Sequence, residues 1–212
     1  MSGAPKPVRG RVLEIDEPTA DERAWVFEAL QDAAVHVPIG CAAAPPRAHF
    51  AADLLELRRG PEVRREAVRY HVLRRLDDGR PVGFFLDFGW DHPGDSTREI
   101  DLAFPRPGDR GVDTYLDATV LISHYLFVNR LAKRVRWRVE GARGAPRRAQ
   151  RQGARMLREF EERHPVTGEW RTKYIYEFAL ADFERLVRDA GVDAERDYHD
   201  IGASVWEFYR GP

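Results

Sequence analysis

The chain has a single cysteine, Cys41, and only two methionines among its 212 residues. One cysteine excludes an internal disulfide, so the fold is no disulfide scaffold and suits a reducing compartment. Neither Cys41 nor the seven histidines fall at ligand spacings, so no zinc or other metal site is expected. No run of about 18 apolar residues exists, so no helix is expected to cross a bilayer. Charge of one sign is missing too. Lys and Arg total 34 against 35 Asp and Glu, a net charge of −1 although 33% of residues are charged. A balanced surface of that kind is rich in ion pairs and has no global field that would draw it to nucleic acid or membrane. The Pro/Gly/Lys-rich opening, residues 1–10, lacks the apolar core of a secretory signal. It reads as a flexible arm, and a soluble cytoplasmic protein is expected. With no internal repeat and no linker, residues 11–191 read as one domain. The tail 192–212 carries Ile201, Val205, Trp206, Phe208 and Tyr209, which suits packing on the domain or on a second subunit of a homodimer.

What is present reads as α/β. Arg11 to Ile15 is a short strand. Thr19 and Glu22 form a capping box for a helix that runs to about Val35 with Trp25, Val26 and Leu30 at helical spacing. Phe50, Leu54, Leu55 and Leu57 predict a second helix over residues 47–58. From Val68 the period becomes two: Tyr70–Leu76, an Asp-Gly hairpin turn at residues 77–80, Pro81–Phe88, then Arg98–Phe104 make an antiparallel meander. In the third strand Ile100, Leu102 and Phe104 share one face, and Glu99, Asp101 and Ala103 the other. A Pro/Gly loop over residues 105–113 precedes a long helix, 114–134, apolar nearly all round and so covered on more than one side. Val135–Val139 is a strand, 145–152 a short basic helix, 154–162 and 170–180 two strands around a turn, and 181–190 a closing helix.

That order of elements resembles the GNAT superfamily of N-acetyltransferases, with the RimJ/RimL type nearest. The stretch Glu99 to Ala118, EIDLAFPRPGDRGVDTYLDA, is similar to the family's strand, Arg-Gly-x-Gly loop and helix start. Lys133 to Val139 looks like the next strand, Arg147 to Arg155 the short helix after it, and Trp170 to Leu186 the last strand and helix. Together with the opening elements the likeness spans most of the chain. Gly111 matches the loop's first glycine, Asp113 stands where its second would be, and Gly108 replaces the leading Gln or Arg.

The resemblance implies a mixed central sheet with flanking helices, acetyl-CoA or another acyl-CoA as co-substrate, no metal, and transfer of the acyl group to a primary amine on a small molecule or a protein N-terminus. The loop before the long helix would cradle a diphosphate on inward-facing amides, helped by the helix dipole. The implied cofactor residues are Ala103, Phe104, Arg106, Asp109, Arg110, Gly111, Val112, Asp113 and Thr114, with Arg106 and Arg110 adding charge. The strand ending in Ala103–Pro105 would part from its neighbour and bind the pantetheine arm like an added strand. Amine acylation needs a base and an acid. Glu99 and Asp101 are candidate bases, Tyr115, Tyr125 and Tyr176 candidate acids, and Trp90, His92 and Tyr176 candidate substrate contacts.

Two other readings fit the residues. A GNAT-fold protein could have left acetyl-CoA for another donor, such as an aminoacyl-tRNA, a reading that Asp113 favours, or it could be a non-catalytic binding module. Nine arginines between Arg134 and Arg158 invite a nucleic-acid interpretation, but Trp137 is the one aromatic inside the strand they flank and acids elsewhere balance them, so a solvated face is expected.

Overall fold

Nine strands of the computed structural model join in one sheet, ordered β1-β2-β4-β5-β6-β7-β9-β8 with β3 also on β4. Residues 5–39, 41, 43–50, 54–59, 64–89, 96–140, 154–163 and 168–189 are the ones described. The strands are β1 (Val8–Arg9), β2 (Leu13–Asp16), β3 (Leu54–Arg59), β4 (Arg64–Arg75), β5 (Pro81–Phe88), β6 (Thr97–Ala103), β7 (Arg134–Glu140), β8 (Arg155–Arg163) and β9 (Trp170–Ala179). The helices are α1 (Ala20–Ala29), α2 (Ala33–His36), α3 (Val112–Val128) and α4 (Leu180–Asp189). Every pairing is antiparallel except β6 with β7, which α3 joins by a crossover.

The faces divide as the alternation requires. Ile100, Leu102 and Phe104 pack with Phe85, Trp137, Tyr176 and the apolar sides of α3 and α4. Ala103 packs with Phe84, Leu86 and Phe88 under Val26 of α1 and Leu30 just past its end. Gly83 is there because Phe104 lies across it: a Cβ at that position would sit 2.7 Å from the Phe104 ring. The meander strands and the capping box match the sequence reading, with Glu22 Oε2 accepting from the Thr19 amide at 2.7 Å. Glu22 also forms a buried ion pair with Arg74 of β4, which ties the start of α1 to the sheet.

Four expectations need correction. The helix expected to run to about Val35 ends at Ala29, and a separate short helix, Ala33–His36, begins on its own cap, Asp32. The helix expected over 47–58 is a 3-10 turn, Arg47–His49, followed by β3, with Leu55 wholly buried. Six backbone pairs to β4 outweigh the weak helical spacing of its leucines. The long helix stops at Val128, where Arg130 takes φ 56° and Leu131 N donates to Leu126 O at 2.8 Å, a Schellman closure with Arg in the position glycine usually fills. The arm expected over 1–10 is fastened at its end: Val8 is fully buried and β1 pairs with β2. The basic helix over 145–152 and the tail 192–212 lie outside the described residues.

One carboxylate fixes that end of the sheet. Asp117 of α3 is 1% exposed and accepts from the amides of Arg11, Val12 and Leu13 at 2.8, 2.9 and 3.0 Å. A Cβ on Gly10 would lie 2.5 Å from it, so only glycine lets the turn close over the oxygens. Burial pushes the Asp117 carboxyl above its usual range, while the three amides pull it back. Asp117→Asn keeps the size but sets an amide NH₂ against backbone donors. The expected loss is about 2–4 kcal/mol, a fall of roughly 5–15 °C in the melting temperature.

Two buried histidines make the fold acid-sensitive. His124 is stacked on Phe183 with ring centroids 5.4 Å apart, and His71 on Phe85 at 4.5 Å. Burial lowers each to a pKa of about 3, with Arg69 adding to the effect at His71. The Asp87 carboxylate stands 3.9 Å from His71 Nε2, too far for a hydrogen bond that would oppose this. Below pH 6.5 the unfolded chain gains protons that the folded one refuses. Stability is therefore full above that pH and falls by about 1.4 kcal/mol per unit per histidine as the pH drops toward 3. Urea unfolding between pH 7 and 4.5 should show this slope, and His124→Phe, which keeps the ring stack, should make it shallower.

Candidate active site

The parallel pairing of β6 and β7 is short. Thr97 to Ile100 pair with Arg134 to Trp137, and there the recorded register ends. Asp101, Leu102 and Ala103 continue along β6, and Arg138, Val139 and Glu140 along β7, without pairing each other. The strands part into a wedge that opens toward the end of β6. On its other side β6 stays paired to β5 as far as Ala103, so the unpaired edge is the one facing β7.

Beyond β6 the chain makes a 3-10 turn, Pro107–Asp109, and enters α3 with Gly111 as an extended N-cap. The N-cap Gly111 makes no side-chain cap to this 17-residue helix. Its first amides have no intrahelical acceptors, and the dipole favours an anion there. A Cβ built on Gly111 would meet only Thr114 Oγ1, at 3.5 Å, and one on Gly108 nothing within 4 Å, so the described residues leave room at those two positions.

The implied cofactor residues separate into four groups. Ala103 and Phe104 end the unpaired edge of β6, and Gly111, Val112, Asp113 and Thr114 form the helix mouth. Arg106 is exposed and makes no hydrogen bond or ion pair with the described residues. Asp109 and Arg110 are used otherwise than expected. The Asp109 carboxylate, 5% exposed, is held by both terminal nitrogens of Arg80 at 3.0 and 3.2 Å, which pins the turn to the β4–β5 hairpin. Arg110 turns back, its Nε donating to Phe104 O at 2.8 Å and Nη2 to Pro105 O at 3.0 Å. Both amides also serve the 3-10 turn. These side chains shape the loop and do not face an anion, because the two carbonyls that leave the sheet at the end of β6 need donors.

Of the candidate bases, Asp101 lies on the parted segment of β6 and is 8% exposed. Glu99 sits within the paired part, where Arg138 Nη2 donates to its Oε1 at 3.0 Å. Tyr115 is 41% exposed, edge-on to Phe104 at 4.9 Å between centroids, and burial of its hydroxyl end raises its pKa while Arg110 opposes. It stands in the first turn of α3, beside the wedge. Tyr125 belongs to the core against His71 and Phe85, and burial raises its pKa strongly. Trp90 and His92 lie outside the described residues. The ends of their segment are clasped by Arg98, whose Nη1 donates to Gly89 O at 2.9 Å while its Nε stands 3.6 Å from the buried Asp87.

Trp137 and Arg138, to which sequence reasoning gave no site role, lie at the fork, and Tyr176, a candidate acid and substrate contact, is buried on β9 opposite Trp137. Trp137, the last β7 residue paired to β6, lies opposite Tyr176 of β9, and Arg138 is the first residue beyond. The indole Nε1 of Trp137, the Nε of Arg138 and the hydroxyl of Tyr176 are all buried without a hydrogen-bond partner. An unpaired buried polar group costs about 1–3 kcal/mol. Burial raises the Tyr176 pKa, Tyr174 and Glu159 adding to it. Arg136 and Arg155 both donate to Glu177, at 3.0 and 3.1 Å. Among the described residues no cluster of His, Cys, Asp and Glu could hold a metal ion, and no helix is long and apolar enough to cross a membrane.

Solved structures share this architecture. A GCN5-related N-acetyltransferase from Brucella melitensis superposes with a TM-score of 0.57 at 16% identity, covering 100% of this chain and 97% of that one. The acetyltransferase (GNAT family) from Bacillus anthracis gives 0.55 at 16%, covering 82% and 98%. Mycobacterium smegmatis RimJ in complex with CoA-disulfide gives 0.53 at 13%, covering 87% and 95%. The chain has the GNAT N-acetyltransferase fold. No protein-family model and no curated protein matches it. It carries that fold at 13–16% identity to these three structures.

Arg110 gives a direct check on the loop. Arg110→Ala leaves the carbonyls of Phe104 and Pro105 without their donors, and thermal or urea unfolding should show a loss of about 1–2 kcal/mol.

Proposed function

We propose that this protein is an N-acyltransferase that moves an acyl group, acetyl by preference, from acyl-CoA to a primary amine by direct transfer. The observation that carries the reading is the end of the β6–β7 pairing after Ile100 and Trp137, with the glycine N-cap of α3 following β6. An edge strand with free backbone groups suits the amide-bearing pantetheine arm. Amides at a helix N-terminus suit a diphosphate, and Arg106 is placed to add charge.

The residues then take these roles. A bound acyl-CoA supplies the activated thioester carbon. Ala103 and Phe104 orient the arm along the strand edge, and Gly111 to Thr114 hold the phosphates. Asp101, on the α1 face of the parted segment, receives the proton of the acceptor ammonium, directly or through a water. Glu99, ion-paired with Arg138 at 3.0 Å, lies on the same face. Tyr115 Oη gives its proton to the departing sulfur and regains one from the attacking nitrogen as the amide forms. Trp90 and His92 contact the acceptor, a small amine or the N-terminal amine of a protein. Direct attack needs amine and thioester on one wedge, approached from opposite sides, which the two unequal faces of β6 allow. The reducing cytoplasm, with neither membrane nor nucleic acid as partner, is the setting this reading expects.

A second reading, a GNAT fold that has left acyl-CoA for another donor or for binding alone, is favoured by Asp113 at the helix mouth. Thermal melting with acetyl-CoA separates the two. A ligand that binds only the native state must raise the melting temperature, by an amount equivalent to about 2.7 kcal/mol at 100 times its Kd. The expected result is a clear rise at millimolar acetyl-CoA, abolished by Gly111→Asp with the ligand-free melting temperature little changed. A flat titration of the unmodified protein would favour the second reading.

A further inference from the structure

The edge of β4 that faces away from β5 is covered by two strands that do not meet. β2 pairs with Val72 to Arg75 and β3 with Arg64 to Arg69, so neither reaches Tyr70 or His71. Over that break, on the α1 face, lies a pocket of about 240 Å³. Arg23, Ala24 and Phe27 of α1, Arg47 and Phe50 at the two ends of the 3-10 turn, and Tyr70 line it. Its apolar wall is a run of rings. Phe27 meets Phe50 edge-on at 5.2 Å between centroids, and Phe50 meets Tyr70 at 5.8 Å. The Arg47 guanidinium lies over Phe27 at 4.9 Å, and Arg23 Nη1 donates to Pro18 O at 2.7 Å. Arg47 is exposed, Arg23 half-buried and Tyr70 buried, so the charges stand at the rim and the rings beneath. Among the described residues the lining holds no acid, and neither arginine forms an ion pair. Helix α1 divides this pocket from the wedge. Trp25, two residues from both Arg23 and Phe27, lies on the opposite side of the helix and packs edge-on to Phe84 of β5 at 6.1 Å. Tyr70, Leu86 and Asp101 form one cross-strand row, so the pocket floor is two strands, about 10 Å, from β6.

We propose that this pocket is a binding site for a small aryl carboxylate, separate from the acyl-transfer wedge. The ring of such a ligand suits Phe27, Phe50 and Tyr70, since aromatic groups gain from offset and edge contacts beyond the area they bury. Its carboxylate suits the two guanidinium groups at the rim, which offer charge-assisted hydrogen bonds. The size agrees. A cavity of roughly 150 Å³ takes benzene, so one of about 240 Å³ holds a ring together with a short acid chain. Inorganic phosphate would leave the ring wall unused, and an uncharged ring would leave both arginines without a counter-charge. The inference does not rest on the acyl-CoA reading, because no residue of the wedge lines this pocket.

The probe is 3-phenylpropionate, titrated calorimetrically into the full chain beside its neutral amide and beside acetate. The propionate should bind with a Kd of about 1 mM or tighter, and the amide and acetate roughly fivefold or more weakly. Arg47→Gln and Arg23→Gln should each weaken the propionate by about the same factor, with the ligand-free melting temperature little changed. Ala24→Leu puts a larger side chain that helices tolerate well into the pocket. It should abolish binding of the propionate while the melting temperature stays level or rises, and it decides the case even if an arginine variant loses stability. No binding of the propionate at millimolar concentration, equal binding of the amide, or undiminished binding by Ala24→Leu overturns the inference. The response of the melting temperature to acetyl-CoA should be the same in Ala24→Leu as in the unmodified protein; if Ala24→Leu loses that response together with the propionate, the two ligands share one site and the proposed separation falls.

Discussion

Two parallel strands held together over four residues, and then released, are the constraint around which the rest is arranged. A parallel pair cannot be closed by a hairpin, so β6 and β7 need a crossover, and α3 supplies it. The helix must cover the sheet face beneath it, which explains its apolar girth. It must also begin where β6 ends, which brings its dipole and free amides to the mouth of the wedge. Strand edge, helix mouth and parted neighbours are therefore one consequence of one connection.

The faces of β6 translate that geometry into chemistry. Ile100, Leu102 and Phe104 anchor the strand in the layer under α3, so it keeps its line after losing its neighbour. Glu99 and Asp101 face the other way, onto a side carrying Arg136, Arg138, Arg155, Glu162, Lys173 and Glu177. The balanced net charge seen in the composition has its local counterpart there, as ion pairs strung across β6, β7, β9 and β8.

Much of this was legible in the amino-acid sequence, for physical reasons. The Asp-Gly turn with alternation on both sides gives the β4–β5 hairpin, and the Thr19–Glu22 capping box gives the start of α1, because both signals are local. The second helix failed because Phe50, Leu54 and Leu57 also suit a strand, and only pairing with a distant β4 decides between them. Site residues followed the same division. Gly111 was visible as a helix entrance. The diversion of Asp109 to Arg80 and of Arg110 to strand carbonyls was not, since it depends on groups brought near by the hairpin. Trp137 gave no signal beyond its place in an alternating strand; its meaning comes from where β7 parts company with β6.

The chain's first described residues run along the far end of α3. Lys6 exchanges two hydrogen bonds with Asn129, its amide donating at 2.6 Å and its carbonyl accepting at 3.0 Å, just past the helix C-terminus. A helix of 17 residues is about 25 Å long, so any appendage upstream of Lys6 departs a full helix length from the open amides. Tethering the protein to a surface or a fluorophore through that end would leave the wedge facing solvent.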